Sequence, residues 1–199
     1  RLVGPEQVFR FTLRGRVANF GAVVTSSGPG VRISPRLVVA GDENRLVGYT
    51  GLPVNLNPYG DFGVVEPVVG AVLPTPRAYD FVFDTPTKGQ AGRYRFRFWI
   101  NDVTPPAVRI AGLVGGTLVL RVSDAGSGVD PRSLAARVDG RGRVVRWSRG
   151  RALVEVGRLG RGAHRLVFSA ADYQEAKNME DVGPVLPNTR TLRGSFRVG

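Results

Sequence analysis

Apolar and polar residues alternate along most of this chain. Tyr94, Phe96 and Phe98 are separated by Arg95 and Arg97, the two-residue period of a strand with one buried face. Phe9, Phe11 and Leu13 repeat that spacing near the start. Further strand patterns run through 17–24, 36–40, 45–49 and 79–84 in the first half. In the second half they run through 108–110, 118–122, 136–138, 143–147, 152–156, 164–170 and 191–198. Gly, Pro, Asn and Asp cluster between them, at 26–30, 41–44, 86–92 and 123–131, which is the chemistry of turns. Asp139-Gly140-Arg141-Gly142 predicts a hairpin joining 136–138 to 143–147. The stretch 51–63 predicts a long irregular loop. Nowhere do apolar residues keep helical spacing for more than two turns, so the chain is predicted to be all-β.

The 94–100 strand runs into Asn101-Asp102-Val103-Thr104-Pro105-Pro106, where two prolines stop the ladder and hold the backbone extended. A new strand pattern follows at once. The expected organisation is therefore two tandem β-sandwich domains, residues 1–103 and 104–199, joined by a short Pro-rich linker. Each has the length of an immunoglobulin-like sandwich, enough to bury a modest core. The 199 residues include no cysteine, which excludes a disulfide framework and a thiolate metal site. No apolar run approaches the roughly 18 residues of a membrane span. The sequence opens on Arg1 rather than Met, so a fragment or a processed product is expected.

The formal net charge is +12, and of 28 basic residues only Lys88 and Lys177 are lysine. Such a balance suggests an anionic partner. No helix is predicted that would enter a nucleic-acid groove and no aromatic platform is interleaved, so sequence-specific nucleic-acid recognition is not expected. The densest arginines lie between 141 and 165, with Arg141, Arg143 and Arg146 as candidate contacts to an anionic polymer. Many arginines instead alternate with apolar residues, as solvent-facing strand positions do.

Candidate chemistry is sparse. His164 is the only histidine, placed at a strand entry, and is read as structural. Acids number 16 and mostly occupy turns, where Asp hydrogen-bonds its own backbone. Asp102, Asp124, Asp130 and Asp172 are the candidate ligands for calcium, which takes six to eight oxygens from flexible loops. Asn101-Asp102 before Thr104-Pro105-Pro106 resembles the calcium-gripping linker of cadherin-like repeats. Tyr59 and Phe62, among the asparagines of the 51–63 loop, are the candidate ligand-contacting aromatics.

Thr104-Pro105-Pro106, Asp124-Ala125-Gly126-Ser127-Gly128-Val129-Asp130, Gly162-Ala163-His164 and Ala170-Ala171-Asp172 follow one another in the layout of bacterial immunoglobulin-like repeats. The second half resembles that family, although its close continues as Tyr173-Gln174-Glu175-Ala176-Lys177-Asn178 where the family has Ala-Gly-Asn. That departure, with Leu186-Pro187-Asn188-Thr189-Arg190, is similar to the C-terminal ends of secreted actinobacterial subtilisin-like serine proteases. Val17-Ala18-Asn19-Phe20-Gly21, Gly51-Leu52-Pro53-Val54-Asn55 and Phe83-Asp84-Thr85-Pro86 resemble the accessory region those enzymes carry after the catalytic domain.

The resemblance implies a non-catalytic accessory region of an exported protease, extracellular or at the cell surface, that positions or stabilises a catalytic domain in the same chain. A subtilase triad needs Ser, His and Asp, and neither its Gly-Thr-Ser-Met-Ala nor its Asp-Thr-Gly motif has a match in this sequence. The chain is therefore expected not to be an enzyme itself. The alternative expectation is a stand-alone adhesion pair that binds carbohydrate or an anionic polymer.

Overall fold

The computed structural model describes residues 7–46, 48–49, 52–53, 67–174 and 188–199, and it is nearly all β. The expected loop over 51–63, with Tyr59 and Phe62, lies outside the described residues apart from a two-residue pairing of β5 (Gly48–Tyr49) with β6 (Leu52–Pro53). The described residues up to Val103 form one compact unit and those from Thr104 onward form another.

The first unit holds two main antiparallel sheets. One runs β1 (Gln7–Thr12), β8 (Ala78–Asp84), β3 (Ser34–Val39), β4 (Asp42–Leu46). The other runs β7 (Val68–Val72), β2 (Asn19–Ser27), β9 (Tyr94–Ile100). Alternation explains which residues meet. Phe20 and Ala22 of β2 face Leu37, Tyr79, Phe81 and Phe83 of the opposite sheet, and all six are buried. Ring pairs bind the layers, with Phe20 4.9 Å from Tyr79 and 5.8 Å from Phe81 at 88°, edge to face. The β7 strand was not among the expected elements. Its run Val68-Val69-Gly70-Ala71-Val72 is wholly buried and lacks alternation, the pattern of a strand covered on both faces.

Alternation on β9 has a different outcome from the expected single buried face. Phe96 and Phe98 each stay 38% exposed, and it is Trp99, on the other side of the strand, that is buried at 3%. Trp99 stands opposite Gly21 in the ladder and spreads its ring over it.

The second unit also has two antiparallel sheets. One runs β10 (Ala107–Val114), β11 (Thr117–Ser123), β15 (Arg151–Glu155), β14 (Val145–Ser148). The other runs β13 (Arg141–Arg143), β12 (Ala135–Val138), β16 (Gly162–Ala171), β17 (Thr189–Val198). Leu118, Leu120 and Val154 from the first meet Val138, Leu166 and Phe168 from the second in a mostly aliphatic core. The Asp-Gly hairpin forms with a tighter turn than expected. Asp139 (φ 51°) and Gly140 (φ 80°) are the whole loop, and Val138 pairs with Arg141. Two successive positive φ values suit the right-handed twist of the flanking strands, and glycine adopts one without strain. The expected strand 143–147 is in fact two. The chain leaves one sheet after Arg143 and joins the other at Val145, with the exposed Val144 as the crossing point.

Gly21 is a sharp test of the packing in the first unit. A methyl group there would lie 2.6 Å from the Val69 carbonyl oxygen and 2.7 Å from Trp99 Cη2. Gly21→Ala is expected to destabilise the unit by about 1–3 kcal/mol through overpacking. Calorimetry should show its melting temperature falling by about 4–8 °C per kcal/mol for a domain of this size.

Candidate functional site

The four candidate calcium ligands take different structural parts. Asp102 belongs to the first unit, where its backbone helps to end β9. The Asn19 side chain donates from Nδ2 to the Asp102 carbonyl (2.7 Å) and accepts from the Asp102 amide at Oδ1 (2.8 Å). Asp124, Asp130 and Asp172 belong to the second unit. Asp130 caps a short 3₁₀ turn at Pro131–Ser133, accepting from the Arg132 amide at 2.9 Å and pairing with the Arg132 guanidinium at 3.0 Å. Asp124 accepts from the Gly128 amide (2.7 Å), closing the Gly-rich turn expected there. Asp172 is 1% exposed and accepts from Asn188 Nδ2 at 2.7 Å. A carboxylate oxygen of Asp124 and one of Asp172 come within 4.8 Å of each other. Within this unit, then, two of the three acids converge, while Asp130 is committed to Arg132.

His164 lies on β16 beside the hairpin turn. Its Nδ1 is 2.7 Å from Asp139 Oδ2, and its Nε2 is 2.8 Å from the Gly160 carbonyl. The other Asp139 oxygen accepts from the Arg165 amide at 2.9 Å. Both ring nitrogens face acceptors, which suits the doubly protonated imidazolium. The His164 pKa is accordingly raised, first by the Asp139 hydrogen bond and then by the Gly160 carbonyl. The Asp139 carboxyl is lowered, first by its bond to His164 and then by the Arg165 amide. The arrangement clasps the tip of the β12–β13 hairpin to the start of β16.

The candidate arginines do not share one surface. Arg141 and Arg143 sit on β13 opposite Val138 and Ala136, so they project from the core side of an edge strand. Arg143 is partly buried, and its enclosed Nε has no hydrogen-bond partner among the described residues. An inward charge at a sheet edge opposes pairing with another chain. Arg146 lies on the other sheet and reaches Glu155 at 2.8 Å.

A different set of arginines is brought together on the β10-β11-β15-β14 sheet. Arg109 stands opposite Arg121, and Arg121 opposite Arg151. All three are exposed on the outer face. Among the described residues no carboxylate pairs with any of them. A bulge creates the row. The Gly115-Gly116 turn sets Val114 against Thr117, and an unbroken ladder from there would have put Arg109 opposite the buried Val122. The extra residue between Ile110 and Gly112 shifts the register by one and moves Arg109 to the outside. Alternating polarity in the sequence signals that these arginines are outward; their alignment depends on a bulge that composition does not announce.

Comparison with known protein families, with curated proteins and with solved structures found no match for this chain. Among the described residues no helix is long and apolar enough to cross a membrane.

The clasp makes stability depend on pH with a definite sign. A raised histidine pKa contributes stability in full below its unfolded value near 6.5, and that contribution is lost as pH rises through the folded value. The lowered Asp139 pKa contributes above the unfolded carboxylate value and is lost only as pH falls through the depressed one. The melting temperature of the second unit is therefore expected to decline as pH rises from about 6 towards 9. His164→Gln should flatten that decline. In Asp139→Asn, which tolerates the same turn conformation, an NMR titration should find the His164 pKa lower than in the parent.

Proposed function

We propose that this chain is a non-catalytic binding and positioning region. In that reading its second sandwich holds an anionic polymer against the outer face of the β10-β11-β15-β14 sheet. The observation that carries the reading is the row Arg109, Arg121, Arg151. Strands lie about 4.8 Å apart, so three guanidinium stems are spread over about 10 Å. Like charges directly opposite one another destabilise a sheet, and repeated anionic groups laid across the strands would relieve that repulsion. The next row carries Val119, Leu153 and Arg146, the last paired with Glu155, and Ser148 extends the arginine row, giving the strip a polar end. The committed ring nitrogens of His164 are in keeping with a non-catalytic role.

The residues that resemble the accessory region of exported subtilisin-like proteases extend the proposal. The region would tether such an enzyme, outside the cell, to a polymer on which it works or rests. Reading the coding sequence upstream of Arg1 tests the attachment. A subtilase domain there supports it, whereas an array of further β modules moves the reading to adhesion.

The arginine row has its own test, with two readouts that move in opposite directions. On a heparin column the triple variant Arg109→Gln, Arg121→Gln, Arg151→Gln should elute at clearly lower salt than the parent. Retention of the parent should itself be lost by roughly 0.5 M salt, where surface charges are screened. The same variant should be more stable by about 1 kcal/mol, because two like-charge pairs are relieved. That raises the melting temperature of the unit by about 4–8 °C. Arg141→Gln, Arg143→Gln is the comparison and should change elution less. Unchanged elution of the triple variant would overturn the reading.

A further inference from the structure

The open side of the first sandwich lies between two edge strands, β1 on one sheet and β9 on the other. Their inward side chains meet there. Phe9 is 5.2 Å from Phe96, and Phe11 is 5.1 Å from Phe98, ring centre to ring centre. Phe81 and Phe83 back them from within at 4.7–5.7 Å. Yet the seam is not sealed. Phe9 and Ile100 are each 43% exposed, and Phe96 and Phe98 each 38%. Four large apolar side chains thus form one contiguous exposed line along a strand edge, which a single sandwich of this size has no internal reason to leave wet.

The backbone beside that line is also available. Asn101 donates its amide to the Asn19 carbonyl and Arg93 accepts at its carbonyl from Gly28, so the odd-numbered residues of this segment turn their backbone groups towards β2. Alternation then aims the amides and carbonyls of Phe96 and Phe98 at the outer edge. Among the described residues no strand pairs with that edge.

Charge selects what could occupy it. On β1 the outward cation is already matched, since Arg10 makes a bidentate pair with Asp80 through two bonds of 2.9 Å. On β9 the outward positions are Arg95, Arg97 and Trp99, preceded by Arg93, and the in-sheet neighbours of Arg95 and Arg97 are Ser26 and Val23. Among the described residues no carboxylate pairs with Arg93 or Arg95. A second copy of β9 is a poor occupant. That strand holds Arg95 and Arg97 and no acid, so a copy laid along the edge would bring further cations and no carboxylate to Arg93 and Arg95.

From this geometry we infer that the outer edge of β9 is a docking site for an extended acidic peptide, one in which carboxylates alternate with apolar side chains. Added as a further strand, its apolar residues lie over Phe96, Phe98 and Phe9. Its carboxylates stand beside Arg93 and Arg95, and its backbone completes the ladder at Phe96 and Phe98. The site is in the first unit and does not depend on the arginine row of the second, so each proposal fails or survives alone.

The test uses the whole chain and a fluorescent heptapeptide, Glu-Val-Glu-Phe-Glu-Val-Glu, with an analogue carrying Lys for every Glu. Anisotropy should show the acidic peptide binding and the basic one not. Arg93→Glu, Arg95→Glu should weaken the acidic peptide about tenfold or more, as two attractive cross-strand pairs become repulsive. The same variant should bind the basic analogue, which also shows that it is folded. Hydrogen exchange read residue by residue should slow at the Phe96 and Phe98 amides when peptide is added, which charge contact without strand pairing would not produce. Equal binding of both peptides, binding with no change at those two amides, or dimerisation of the chain through β9 in sedimentation would each overturn the inference.

Discussion

The ring of Phe20, fully buried, is the point at which the two sheets of the first unit are joined. It comes from β2 and meets Phe11, Tyr79 and Phe81 of the opposite sheet at centroid distances of 4.9–5.8 Å. With no cysteine in the chain, such contacts and the ladders themselves hold each sandwich closed. The position of Phe20 fixes the rest of β2. Its neighbour Gly21 must face the other way, and only a residue without a side chain leaves room there for Trp99. The aromatic seam at β1 and β9 follows from the same register, because Phe11 packs on Phe20 from one side and on Phe98 from the other.

The second unit solves the problem differently. Its core is mostly aliphatic, and tight two-residue turns at Gly115-Gly116, Asp139-Gly140 and Arg149-Gly150 keep its strands in register. The His164 and Asp139 clasp pins one of these turns to the neighbouring strand. The contrast bears on function. The first unit leaves aromatic surface at an edge, while the second presents arginines on the outer face of a sheet. Two chemically distinct surfaces therefore sit on one chain.

Much of this architecture was legible in the sequence, since period-two patterns and turn residues located most strands and the junction after Ile100. What escaped has a common cause. The β7 strand carries no alternation, because both of its faces are covered. The split between β13 and β14 is a change of sheet within an unbroken pattern, at Val144. The arginine row depends on one extra residue in β10. Local periodicity states which way a side chain points; it does not state which residue on another strand it will stand beside. The expected cluster of Arg141, Arg143 and Arg146 was close in sequence but is distributed over two sheets. Arg109, Arg121 and Arg151 are far apart in sequence and adjacent in space. The paired carboxylates of Asp124 and Asp172 were legible as residues, whereas the commitment of Asp130 to its neighbour Arg132 became clear only with the 3₁₀ turn in view.

The end of β9 carries a mechanical consequence. Ala18 and Asn19 bind Asn101 and Asp102 through four hydrogen bonds of 2.7–2.9 Å, three between an asparagine side chain and backbone and one along the main chain. Asn101 holds a left-handed conformation (φ 55°) that turns the strand into this grip. Any pull on the chain beyond Val103 reaches these bonds before it reaches the ladder. Peeling β9 away from β2 cannot then begin one rung at a time, because the four bonds share the load and must yield nearly together. In a protein anchored at one end and drawn at the other, the first sandwich would resist force at its exit and give way only after that grip is broken.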